Sequence, residues 1–322
     1  MKLAFLFPGQ GSQAVGMGKP LAHEFAEARA AFETADQVLG FPLSRLCWEG
    51  PEEELRQTQN AQPALLAHSV AALRVIEARG YAPALVAGHS LGEYSACVAA
   101  KALTFDDALR LVRRRGELMA RAGARPGTMA AILGLDREQV EKVCMRASDA
   151  EGEVVAANYN APGQIVISGD VAAVEKACAI AKGEGAKRAL MLKVSGAFHS
   201  PLMQPAAAEL GTAIDKVTFL EPRCPVVSNV EAREVRSAEA AKAALKRQLT
   251  HPVLWEDSMR LVLERKPDFT IEIGTGRVLC GLLKSLDPNA ASVALSLGEP
   301  KDVEITVGRL ESAKQPASRG SA

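Results

Sequence analysis

The sequence predicts an α/β fold, a mainly parallel sheet with its helices, into which a ferredoxin-like subdomain is inserted. Two observations carry this. Along most of the chain short apolar strand patterns alternate with longer helical ones, the order that builds parallel sheets. The middle of the chain runs instead β-α-β-β-α-β, the order of a ferredoxin-like unit. At 322 residues there is chain enough for a large core and for two domains.

Leu3 to Phe7, LAFLF, is the first strand, and Pro8-Gly9 ends it. Helical patterns follow over residues 20–39 and 63–79. Leu85, Val86 and Ala87 read as a short buried strand, and an amphipathic helix begins at Glu93. Thr104 is a good N-cap with Asp107 at the capping-box position, so a helix over 105–122 is predicted. In the inserted unit TMAAILGL is a strand and 136–148 a helix. EVVAANYN and QIVISGD are strands joined by Ala161-Pro162-Gly163, 171–183 is a helix, and KRALMLKV is the last strand. Helices over 201–214, 237–248 and 255–264, the strand DFTIEIG and the helix RVLCGLLKSL complete the chain. The large domain therefore comprises 1–125 and 195–311, the small one 126–194, and the small polar residues of 312–322 are expected to be disordered.

Composition excludes several classes. Lys plus Arg and Asp plus Glu both number 38, so no global field favours nucleic acid or an anionic membrane. The apolar run after Met1 is too short for a signal peptide, and no stretch approaches the roughly 18 apolar residues of a membrane span. The six cysteines stand singly, without a C-x-x-C pair, which fits neither zinc nor a disulfide framework and points to the cytoplasm.

GHSLG, Gly88 to Gly92, matches G-x-S-x-G between a strand and a helix, the context of a nucleophile elbow. Such a turn strains the serine backbone, and side chains at Gly88 or Gly92 would collide with neighbouring elements. In return Ser90 Oγ is exposed at the positive end of a helix, beside the Leu91 N–H that can hold an oxyanion. The same residues also fit a plain turn in which Ser90 caps the helix and Glu93 completes a capping box.

The helix over 105–122 offers a second clue. At about 100° per residue, Ala108, Leu111, Val112, Leu118, Met119 and Ala122 gather on one arc, and Arg110, Arg113, Arg114, Glu117 and Arg121 on the other. Arg115 projects into the middle of the apolar arc. A guanidinium there snorkels to solvent, pairs with a buried acid, or faces an anion in a cleft, where its planar fork suits a carboxylate. With a serine nucleophile, the last reading suggests an acyl group that bears a free carboxylate.

Beyond these residues the chain resembles the malonyl-CoA:acyl carrier protein transacylases of fatty-acid and polyketide synthesis. The resemblance runs in order through FLFPGQGSQAVGMG, NAQPALLA, AGHSLGEYSA, RRRGELM, NYNAPGQIVISG, GAFHSPLM and RQLTHPVLW, from about Leu3 to Leu297. It implies an α/β-hydrolase-like core around the inserted subdomain. It makes Ser90 the nucleophile, His199 the general base, and the backbone carbonyl of Gln248 the group that orients His199. His89 becomes a neighbour in the turn. Gln10 and Leu91 would supply oxyanion-hole amides, and Arg115 would clamp the malonyl carboxylate beside Met119. Phe198 resembles the malonyl-selective form of its loop, and Gln62 and Asn160 match positions near the site.

The implied reaction is ping-pong transfer of malonyl from malonyl-CoA, through a malonyl-serine ester, to the phosphopantetheine thiol of holo acyl carrier protein. It needs no metal or nucleotide cofactor. Carrier proteins are acidic, so a local basic patch is expected, with Arg110, Arg113, Arg114 and residues 182–187 as candidates. A monomer is expected.

Overall fold

The structure, a computed structural model, describes residues 1–122, 127–150, 152–194 and 196–314. The first strand, β1 (Leu3–Phe7), is followed by helices α1 (Lys19–Glu24), α2 (Ala26–Leu39), α3 (Leu43–Glu49), α4 (Glu52–Arg56) and α5 (Thr58–Glu77). Strand β2 (Leu85–Gly88) leads into α6 (Gly92–Ala99), and α7 (Phe105–Ala122) follows. Then come β3 (Gly127–Leu133), α8 (Arg137–Ala147), β4 (Val154–Ala161), β5 (Gln164–Asp170), α9 (Val171–Gly183) and β6 (Arg188–Met191). After a 3-10 turn at Pro201–Met203 the chain forms α10 (Gln204–Asp215), β7 (Val226–Val227), β8 (Glu234–Val235), α11 (Ala238–Gln248) and α12 (Trp255–Glu264). It ends with β9 (Phe269–Ile273), α13 (Val278–Leu286), β10 (Ala294–Leu297) and α14 (Pro300–Lys314).

Two separate sheets result. The larger has the order β10-β9-β1-β2-β7-β8, parallel except for the short β7–β8 pair. Its strands are buried on both faces, so a period of two sends successive side chains into two different cores. From β1, Leu3, Phe5 and Phe7 enter one core with α2, α5 and α7, whereas Ala4 and Leu6 enter another with Trp255 and Met259 of α12. Each large apolar side chain so buried contributes about 1.5–3 kcal/mol.

The smaller sheet, β4-β5-β3-β6, is wholly antiparallel. One face, with Ile132, Val154 and Ile167, packs under α8 and α9, while Met129, Ala157 and Val166 of the other face join the core of the large sheet. Asp136 and Gln139 form the capping box that starts α8. The two sheets are also tied through the backbone, since Tyr159 N–H donates to Val253 O and Val253 N–H to Ala157 O, both at 2.9 Å.

Several expectations require correction. The helix predicted over 20–39 is interrupted at Phe25, whose backbone is extended at φ −114° and whose ring takes the Arg79 guanidinium at 4.7 Å. The helix predicted to start at Pro63 starts at Thr58, leaving Pro63 inside it. Proline offers no N–H to Gln59 O one turn back, and Arg113 Nη1 of α7 donates to that carbonyl at 3.1 Å. Ser312 to Lys314 close α14 and do not belong to a loose tail; residues 315–322 lie outside the described ones. The predicted boundary at 125/126 also falls outside them, as does Ser195. Among the described residues no helix is long and apolar enough to cross a membrane, and no cluster of three or more His, Cys, Asp or Glu could hold a metal ion.

Candidate active site

The parallel sheet and the antiparallel sheet enclose a cleft of about 630 Å³. Gln10, Ser90, Arg115 and Met119 line it from the first side, Asn160 and Val166 from the second, and Phe198 and His199 from the loop between.

Ser90 sits where β2 turns into α6, with φ at +50°. The glycines on either side are required by contact. A Cβ on Gly88 would lie 1.9 Å from Gly92 O, and one on Gly92 would lie 2.1 Å from Phe7 O. The turn is therefore packed onto the end of β1 with no room for a side chain. Among the described residues five non-glycines have positive φ, and two of them, Ser90 and His199 (+57°), face each other in this cleft. Such strain concentrates at functional sites.

The capping-box alternative fails. Ser90 Oγ bonds His199 Nε2 at 2.7 Å and accepts from Arg115 Nη2 at 3.0 Å, and no side chain caps α6. Glu93 turns inward instead: it is buried and accepts from Gln248 Nε2 at 2.5 Å. Burial pushes its carboxyl up to about 7.

His199 Nδ1 lies 3.0 Å from Gln248 O and 3.2 Å from His251 O. Carbonyls only accept, so Nδ1 carries the proton and Nε2 offers its lone pair to the Ser90 hydroxyl. Burial, then the nearby Arg115 charge, lowers the imidazole pKa to about 3. The ring is neutral at pH 7 and ready to take a proton.

Arg115 is almost wholly buried on α7, as its place in the apolar arc predicts. Thr104 Oγ1 caps this helix by accepting from Asp107 N–H at 3.1 Å. Gly116 lets α7 approach α5 closely, since a Cβ there would lie 2.6 Å from Gln59 Cα. That approach sets Arg115 Nη1 2.9 Å from Gln62 Oε1. Nη2 also donates to Gln248 Oε1 at 3.1 Å, and the guanidinium stands 5.8 Å from the Tyr94 ring. No carboxylate is within ion-pair distance of Arg115 among the described residues, and its buried Nε–H finds no acceptor there. Its direct partners are neutral oxygens, and the Glu93 carboxyl reaches it only through the Gln248 carboxamide.

The remaining expected residues take varied places. Gln62 is fully buried and points Nε2 at Met119 Sδ, 3.1 Å away. Gln10 lines the cleft and bonds Thr58 Oγ1 at 3.1 Å. Leu91 carries its side chain into the core, so only its amide can serve the site. Among the described hydrogen bonds neither the Gln10 nor the Leu91 amide has an internal acceptor. Phe198 is buried on the cleft wall. His89 turns from Ser90 towards Asn160, with Nε2 to Oδ1 at 2.8 Å and its ring 5.3 Å from Trp255.

Sequence reasoning missed three contributions. The Gln248 side chain joins Arg115, Glu93 and, through Nε2 at 2.9 Å, Ser90 O. His251 supplies a second carbonyl to His199. Asn229 bonds the elbow itself. The only available signal lay in the motifs around Gln248 and His251, because each partner is more than 50 residues away in the chain. Of the basic-patch candidates, Arg110 pairs with Asp107, Arg113 with Glu117, and Arg114 with Glu209, whereas no ion pair is found for Lys182 or Lys187 among the described residues. The basic residues that line the cleft are Arg56 and Lys193, besides Arg115.

Comparison with known proteins places the chain in a family. The chain is 46% identical over 311 residues to the malonyl CoA-acyl carrier protein transacylase of Bacillus subtilis, covering 96% of this chain and 98% of the relative. The structure of the Coxiella burnetii transacylase superposes with a TM-score of 0.93 at 39% identity, over 96% of this chain and 98% of that one. A malonyl-transacylase solved in complex with its type II polyketide synthase acyl-carrier protein matches with a TM-score of 0.91 at 42% identity, over 96% of this chain and all of that one. Residues 4–299 match the acyl transferase domain, and the chain belongs to that family.

Proposed function

We propose that the protein transfers malonyl from malonyl-CoA to the phosphopantetheine thiol of holo acyl carrier protein, by a ping-pong route through a malonyl ester on Ser90. The observation that carries this reading is Arg115, a buried guanidinium with no carboxylate within ion-pair distance among the described residues, 3.0 Å from Ser90 Oγ. An acyl group esterified there and ending in a carboxylate supplies the missing anion in bidentate geometry.

Neutral His199 takes the Ser90 proton as Oγ attacks the thioester carbonyl. The Gln10 and Leu91 amides hold the oxyanion, and Ser90 N–H is not among the donors because it is already bonded to Asn229. The tetrahedral intermediate collapses, and coenzyme A leaves with the proton from His199. The carrier thiol then gives its proton to His199 and attacks the ester, and Ser90 recovers its hydroxyl. The carbonyls of Gln248 and His251 hold the imidazole in the required tautomer in place of an acid. Gln62 and Met119 back the guanidinium, Phe198 narrows the acyl pocket, and Asn160 supports the elbow through His89. One thioester replaces another, so the transfer is nearly thermoneutral and calls for no metal or nucleotide.

We read the parallel sheet with its elbow as an α/β-hydrolase-like core formed by 1–125 and 195–311. Residues 126–194 form a ferredoxin-like subdomain, a reading that the antiparallel order β4-β5-β3-β6 under two helices supports. The working unit is a monomer, because one chain supplies Ser90, His199 and Arg115. The enzyme is cytoplasmic, where its carrier and coenzyme A reside, and its cysteines are free thiols.

Mass spectrometry after exposure to malonyl-CoA tests the proposal. The expected product is one malonyl adduct on Ser90 that holo carrier protein discharges much faster than water does. Rapid discharge by water, indifferent to carrier protein, would make the protein a hydrolase, and no adduct would make it a non-catalytic member of the family.

A further inference from the structure

We propose that Asn229 is a positioning residue for the nucleophile: its carboxamide bridges the peptides on either side of His89 and holds Ser90 in the left-handed turn. The inference rests on the reading of Ser90 as nucleophile.

Asn229 Oδ1 accepts from Ser90 N–H at 2.7 Å, and Asn229 Nδ2 donates to Gly88 O, also at 2.7 Å. Both bonds are made by a side chain with no solvent exposure, where water does not compete. The bridge spans the residues that must hold Ser90 at φ +50°, a left-handed conformation that strains a serine. It also fixes the direction of the amides. With Ser90 N–H committed to Asn229, the following amide, that of Leu91, is left for an oxyanion.

The fold explains how Asn229 reaches the turn. Strand β7 is only two residues long, but it pairs with β2 in parallel, with Val86 opposite Val226 and Ala87 opposite Val227. Two residues later the chain is level with the elbow. Asn229 is itself fixed there, since its carbonyl accepts from Leu254 N–H at 2.8 Å and its N–H points to Glu93 Oε1 at 3.4 Å. Glu93 in turn holds Gln248, whose carbonyl faces His199. Nucleophile, base and cation thus share one buried polar network, and Asn229 is its attachment to the elbow backbone.

The test measures single-turnover acylation of Ser90 with two probes, malonyl-CoA and p-nitrophenyl acetate, with rates taken per folded molecule from circular dichroism. For Asn229→Ala the expected result is a fall of about 10–100-fold in the acylation rate with both probes, with KM for malonyl-CoA within about threefold, as displacement of a reacting group by about 1 Å produces. Asn229→Asp keeps an acceptor for Ser90 N–H, so it should recover part of that rate. A folded Asn229→Ala protein that acylates at the wild-type rate overturns the proposal, as does a loss confined to KM for malonyl-CoA. Should the alanine variant not fold, Asn229→Asp decides: a fall of threefold or more with both probes supports the clamp, and an unchanged rate overturns it. Wild-type protein that reacts with p-nitrophenyl acetate but not with malonyl-CoA would sink the malonyl reading and leave the clamp standing.

Discussion

The two faces of helix α7 use the same side chain in opposite ways. Towards solvent, Arg110, Arg113 and Arg114 pair with Asp107, Glu117 and Glu209, and Arg121 shares Glu209. Inward, among the described residues, Arg115 hydrogen-bonds only to amide and hydroxyl oxygens. Exposed pairs of the first kind are each worth about 0–1 kcal/mol, because water already solvates both partners. A guanidinium sunk among apolar side chains has lost that solvation and regains only part of it from neutral groups. The contrast teaches that arginine count says little about anion binding. What matters is the buried cation that no carboxylate touches among the described residues.

If the inward face serves chemistry, the largest effect should come from the base that shares Ser90 Oγ with Arg115. His199→Ala should slow acylation by about 10²–10⁴-fold, measured by quenched-flow labelling of Ser90. A near-normal rate would remove His199 from the mechanism.

Arg115→Ala tests the contrast directly. Its kcat/KM for malonyl-CoA should fall by about 10²-fold, as expected for loss of a charged, desolvated pair, while use of acetyl-CoA rises relative to malonyl-CoA. Equal losses with both donors would make Arg115 a structural residue. The same variant should alter the pH dependence. Burial and then the Arg115 charge lower the His199 pKa to about 3, so the wild-type acid limb lies well below pH 6.5. Removing the charge lets the pKa rise, and with acetyl-CoA as donor the limb should move to higher pH. The sign for stability follows. A histidine whose folded pKa is lowered resists protonation, so its contribution is complete above about 6.5 and is lost as pH falls towards 3. The melting temperature should drop over that range, and less steeply in Arg115→Ala.

The outward face supplies the smallest effect. Arg114→Ala breaks exposed pairs with Glu117 and Glu209 and should change stability by less than about 0.5 kcal/mol and acylation by less than about twofold. A large loss in either would erase the distinction between the two faces.

What could be read from the sequence follows from the range of the interactions. Helix α7 and its odd arginine were legible because helical period is local, and the elbow because its glycines are adjacent to the strand and helix they serve. The strands and helices of the antiparallel unit were legible from their short apolar and helical patterns and the Ala161-Pro162-Gly163 turn for the same reason. Strand β7, two residues long, shows no period, and β10 and α14 follow a stretch without strong start signals. Pro63 reads as a helix start because the donor that serves the carbonyl it leaves unpaired, Arg113 on Gln59 O, lies on another helix. Residue range also explains the site. Without the family resemblance, His199 was a lone histidine in a loop, and Asn229 carried no signal at all, since its partners Gly88 and Ser90 lie about 140 residues earlier.

Arg115, whose hydrogen-bond partners among the described residues are all neutral oxygens, has a consequence for selectivity. An acetyl chain can reach the serine but brings no oxygen that far, so the guanidinium stays as poorly solvated as in the empty cleft. On the proposed reading a dicarboxylic half-ester relieves it, and preference for the longer donor then needs no gate that excludes the shorter one.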